Sequence, residues 1–113
     1  DFVQMSGEDA AILGLLGMGG HGCISVTANL APALCSQMHV AWQKGDFETA
    51  RDIQNRLMPL HEAMFSETSP GPVKHGASLM GWGDGTVRLP LVSPTAATCE
   101  KVEQAMRSVG LIN

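Results

Sequence analysis

The chain has 113 residues, 44% hydrophobic and 16% charged, with a formal net charge of −4. That suffices for one modest core and argues against disorder, while seven Lys and Arg residues in all, scattered along the chain, leave no basic patch for nucleic acid or an anionic membrane. No apolar run is long enough to span a bilayer, no basic-then-apolar leader opens the chain, and an odd number of irregularly spaced cysteines (Cys23, Cys35, Cys99) points to reduced thiols in the cytoplasm.

Phe2 to Met5 is a short apolar run with strand character, so a chain opening Asp1-Phe2-Val3 is expected to be a piece of something larger or a processed product. Ser6-Gly7-Glu8-Asp9 predicts a capping box, Ser6 capping and Asp9 reaching back, with a helix from about Glu8. Ala11, Ile12, Leu15 and Leu16 give that helix its apolar face, and the Gly17-Met18-Gly19-Gly20 cluster ends it. Cys23 to Val26 reads as a second buried strand. Gly17, Gly19 and Gly22 spell G-x-G-x-x-G, but a phosphate cradle needs these glycines after a strand and before a helix. Here they join a helix to a strand, so the dinucleotide reading is set aside.

Asn29 is the expected N-cap of the next helix, with Pro32 in its first turn and Leu30, Leu34, Met38 and Ala41 at helical spacing up to Gly45. Asp46 caps a further helix whose positions Ala50, Ile53, Leu57, Leu60 and Met64 step by three and four, with Pro59 expected to kink it. Ser69-Pro70-Gly71-Pro72 starts a helix through Lys74 to Met80, and Gly81 to Gly85 is a loop. Ser93-Pro94 is the expected start of the last helix, which Cys99, Val102, Met106 and Val109 face inward and Gly110 closes.

Two strands joined by a crossover helix leave sheet edges open, and natural proteins avoid open edges. Strand-helix-strand-helix is the repeat of a (β/α)8 barrel, a TIM barrel, whose sites lie at the C-terminal strand ends and whose full length is about 250 residues. The expected class is therefore α/β: residues 1–45 are the last two βα units of such a barrel and residues 46–113 a C-terminal helical extension.

The stretches FVQMSGEDA, GGHGCISVTAN, RLMPLHEAMFSETSPGPVK and VRLPLVSP stand in the order and spacing of one family, and from Phe2 onward the chain resembles the C-terminal portion of dihydrodipicolinate synthase. Ser69 and Gly71 depart from the commoner family wording, which has Asn and Ile there and affects helix packing more than chemistry. The resemblance implies a lyase that condenses pyruvate with aspartate semialdehyde, early on the diaminopimelate route to lysine, in a homo-oligomer expected to be a tetramer, with no cofactor. Pyruvate would form a Schiff base with a strand lysine, and that lysine and the proton-relaying tyrosine both lie before this chain begins; the sequence has no Tyr at all. No catalytic residue is therefore expected here, and the segment alone should be inactive. Two substrate-binding positions carry over: Ile24, whose backbone carbonyl would face pyruvate while its side chain fills the barrel, and Gly7, which would let substrate approach a strand end. Another pyruvate-dependent lyase of the same barrel class, such as an N-acetylneuraminate lyase, and a non-catalytic half-barrel interaction module are the alternatives.

Other polar residues read as structural. Lys44, Lys74 and Lys101 have the settings of solvated amines, whereas a Schiff-base lysine needs a desolvated pocket. His21, His39, His61 and His75 show neither i, i+4 pairing nor a Cys partner at zinc spacing, so no metal is expected. Glu8 and Asp9 read as first-turn acids favoured by the helix dipole rather than as an acid/base pair.

Overall fold

A computed structural model describes all 113 residues. Strand β1 (Met5–Ser6) pairs in parallel with β2 (Gly22–Cys23), Met5 opposite Gly22 and Ser6 opposite Cys23. The connection between them is helical, as the apolar spacing predicts: a 3-10 turn over Asp9–Ala11 leads into α1 (Ile12–Gly17). Two further amide bonds, His21 N to Gln4 O and Ile24 N to Ser6 O, both 2.8 Å, extend the pairing past each end. Nδ1 of His21 accepts the Gln4 amide at 3.1 Å, which ties that imidazole to the start of the pair.

The strands are shorter than expected and displaced, β1 toward its C-terminal side and β2 toward its N-terminal side. Beyond Ile24 the cause is local. The amides of Val26 and Thr27 donate to the Asp9 carboxylate at 3.0 and 3.3 Å, so the chain leaves extended pairing and winds into a 3-10 turn at Thr27–Asn29. Asn29 consequently does not cap the next helix. Its side chain donates to the Val26 carbonyl, and α2 (Pro32–Gln43) starts after Ala31 with Pro32 in the first turn as predicted. The capping box is also not formed: Ser6 Oγ bonds the backbone of Glu8, Glu8 caps the 3-10 turn, and Asp9 points inward.

The chain divides into two compact units at Met58/Pro59, inside α3 (Phe47–Met64). In the first unit Ile12 and Leu16 of α1, Met38 and Ala41 of α2 and Ala50 of α3 form the core, with Leu13, Cys23, Trp42 and Ile53 packed against it. Gly45 ends the α2 region with φ +77°, a conformation that carries almost no penalty only in glycine. Asp46 then caps α3 by accepting the Thr49 amide at 3.1 Å, as its position predicts. The helix runs through Pro59, which has no N–H to donate along it.

In the second unit α4 (Gly71–Leu79) and α5 (Ala96–Ser108) pack on each other. Val102, Met106 and Val109 are buried, as their spacing requires, while Cys99 is only partly so. The last helix starts later than Ser93-Pro94: Thr95 is its N-cap, accepting the Thr98 amide, and the Glu67 carboxylate accepts the Thr95 amide at 2.9 Å. Gly81, Gly83 and Gly85 all have positive φ, which makes that stretch a loop. No helix is long and apolar enough to cross a membrane.

Candidate functional site

Parallel pairing brings the C-terminal ends of β1 and β2 side by side. Gly7 directly follows β1 and Ile24 directly follows β2, one step beyond the Ser6–Cys23 pair, and the Ile24 amide is fixed by the Ser6 carbonyl. A Cβ built on Gly7 meets no atom of this chain within 4 Å. No backbone amide of the chain donates to the Ile24 carbonyl. Its side chain, expected to fill an interior, is 71% exposed. In this chain the sheet has two strands, and no further strand supplies a layer of side chains over Ile24.

Asp9 lies beneath these ends and is only 4% exposed. Its Oδ2 accepts the Val26 and Thr27 amides, and its Oδ1 accepts the Ser25 hydroxyl in a very short bond and the Cys23 thiol at 3.8 Å. Ser25 Oγ in turn accepts the Ala28 amide at 2.8 Å. From behind, the buried Gln54 of α3 donates its Nε2 to the Asp9 carbonyl at 2.7 Å. Four donors occupy the acceptor capacity of one carboxylate. Asp9 is thus a buried anchor as well as a first-turn acid, while Glu8 is the N-cap of the 3-10 turn, its carboxylate accepting the Ala10 amide at 3.3 Å. Its signal was present in the spacing, since Asp9 falls in helical register with the buried Ile12 and Leu16.

Burial first, and then the Asp9 carboxylate, pushes the Cys23 thiol up to about 11. The same two causes, in the same order, raise Cys35. Both are therefore protonated thiols at neutral pH and poor nucleophiles. All three cysteines are free.

The remaining candidates are dispersed. Lys44 follows α2 as its C-cap, Lys74 lies in α4 and Lys101 in α5, and all three are exposed. None has the desolvated setting that imine chemistry requires of an amine. His39 is partly buried and its imidazole is lowered by that burial, His61 is buried, and His75 carries a buried Nε2 without a hydrogen-bond partner. No three His, Cys, Asp or Glu side chains converge as metal ligands would.

Residues 1–109 match the model of the dihydrodipicolinate synthetase family. The chain is 56% identical over its whole length to the 4-hydroxy-tetrahydrodipicolinate synthase of Bradyrhizobium diazoefficiens, and it spans about 38% of that relative's length. Among solved structures, dihydrodipicolinate synthase from Thermotoga maritima superposes on 99% of the chain with a TM-score of 0.96 at 38% identity, and 38% of that protein is covered. The chloride-inhibited enzyme from Acinetobacter baumannii in complex with pyruvate superposes on 98% with a TM-score of 0.92 at 33% identity, again over 38% of its length.

Proposed function

The chain belongs to the dihydrodipicolinate synthetase family, and on that premise we propose that it forms the C-terminal part of a 4-hydroxy-tetrahydrodipicolinate synthase, the lyase that condenses pyruvate with L-aspartate semialdehyde. Residues 1–45 are then the last two βα units of a (β/α)8 barrel, and residues 46–113 extend it with helices. Barrel enzymes build their sites at the C-terminal ends of strands. Gly7 and Ile24 stand side by side at that end of this parallel pair, and this placement is the observation that carries the reading.

In the full-length enzyme a lysine on the strand before Phe2 forms the imine with pyruvate, and a tyrosine earlier still moves the protons. An amine attacks a carbonyl only when neutral, which a desolvated barrel interior favours and an exposed helix surface does not. This segment contributes recognition: the Ile24 carbonyl faces the bound pyruvate or its imine, and Gly7 leaves room for it. The pyruvate complex of the Acinetobacter baumannii enzyme supports that substrate. The family resemblance implies a homotetramer, and three free thiols suit the cytoplasm. The relative quoted at 56% identity carries the synthase name, which favours this reading over another pyruvate lyase or a non-catalytic half-barrel.

The test is Gly7→Val in the full-length enzyme. Within these 113 residues nothing lies within 4 Å of a Cβ at Gly7, so the new side chain meets no clash with this segment. The KM for pyruvate should rise by about tenfold or more, the equivalent of one lost contact or a mild clash with substrate, with thermal stability nearly unchanged. Unaltered kinetics would remove Gly7 from the site.

A further inference from the structure

We propose that Asp9 is a positioning residue for substrate binding: it holds the segment Ser25–Thr27 so that the neighbouring Ile24 carbonyl is presented at the strand end. The inference rests on the reading of Ile24 given above and goes beyond it, because Asp9 itself touches no substrate.

The geometry is a chain of fixed groups within the first unit. Gln54 Nε2 holds the Asp9 carbonyl at 2.7 Å, and Gln54 is itself only 4% exposed. The Asp9 carboxylate holds the Val26 amide at 3.0 Å, the Thr27 amide at 3.3 Å and the Ser25 hydroxyl. Ile24 is therefore pinned on both sides, by the Ser6 carbonyl on its own amide and by Asp9 on the three residues that follow. The Ile24 carbonyl lies in the planar peptide between Ile24 and Ser25, and the bonds to the Ile24 and Val26 amides fix the peptide planes flanking it. An ionised carboxylate is the strongest acceptor available for two amides and a hydroxyl at once, and with its lone pairs occupied it has none left for proton transfer. That separates positioning from acid-base catalysis. Positioning within a fraction of an ångström is what binding sites require of supporting groups.

The experiment uses the full-length enzyme carrying Asp9→Asn, with Ser25→Ala as the milder change and Val102→Ala, in the α5 core, as a control that lowers stability elsewhere. Asn presents one acceptor and turns an N–H toward donors, so it cannot hold the same set. Amide hydrogen exchange at Val26 and Thr27 should quicken by about tenfold or more in Asp9→Asn, since each loses a charge-assisted bond. KM for pyruvate should rise by a similar factor with a smaller fall in kcat; Ser25→Ala should move both readouts less but in the same direction, and Val102→Ala should move neither. Unchanged exchange in Asp9→Asn would overturn the anchor. Faster exchange with the KM of the Val102→Ala control would overturn the positioning role while leaving the proposed function intact. If the unmodified enzyme failed to bind pyruvate, the reading of the site, and the positioning role with it, would fall.

Discussion

Asp9 Oδ2 accepts the Val26 amide at 3.0 Å across seventeen residues of sequence, joining the turn after β1 to the turn after β2. That bond and its neighbours end β2, place Ile24 and bury the one carboxylate of the first unit's interior. Replacing Asp9 by Ala should lower unfolding stability by about 3 kcal/mol, the scale for removing a charged acceptor and leaving buried amides unpaired. Urea denaturation measures it, and a loss under about 0.5 kcal/mol, the level of an ordinary surface substitution, would show that the network is incidental.

Cys23 makes stability depend on pH at the alkaline end. The folded thiol keeps its proton up to about 11, whereas the ordinary value is 9.0. Between the two the unfolded chain binds fewer protons, so this contribution is fully present below about 9, declines as pH rises, and is gone above about 11. The urea midpoint should fall across that window and fall less in Cys23→Ala. Alkylation of Cys23 by iodoacetamide at pH 8 should be slow in the native protein and quicken in urea, because the thiolate is the reactive form. Rapid native alkylation at pH 8 would contradict the assigned environment.

Two glycines should respond differently to the same substitution. A Cβ on Gly20 would overlap Leu15 Cγ and lie 2.9 Å from the Leu15 carbonyl oxygen, so Gly20→Ala forces a shift of backbone as well as side chain. Overpacking of that kind costs about 1–3 kcal/mol. Gly45 has open space but a φ of +77°, and Gly45→Ala should cost about 1 kcal/mol through backbone strain alone. Thermal melts of the two variants give the order, and a larger loss at Gly45 would show that conformation outweighs contact here.

Much of this architecture was legible in local signals. The parallel pair with its helical crossover, the Gly45 stop, the Asp46 cap and the buried positions Val102 and Met106 all follow from periodicity and end chemistry, which act over one or two turns. What escaped was set by contacts distant in sequence. The extent of β2 depends on Asp9, and the start of the last helix on a Glu67–Thr95 bond across 28 residues. Gln54 and Asp9 both sit at apolar-face positions, where a polar residue signals a buried partner, yet spacing alone does not name that partner. Gly7 and Ile24 were singled out as substrate-binding candidates through the family wording and not through periodicity. Ile24 is exposed in this chain because a strand's buried face needs neighbours that two strands do not supply.

The central claim is that this segment helps recognise pyruvate without holding the nucleophile, and pyruvate trapping with borohydride tests it directly. Reduction of the imine fixes one pyruvate on the attacking lysine, read by intact mass and peptide mapping. The full-length enzyme should gain one adduct, on a lysine before Phe2, and the 113-residue chain should gain none, since Lys44, Lys74 and Lys101 are exposed. An adduct on any of those three lysines would show that the nucleophile has been misplaced and contradict the account.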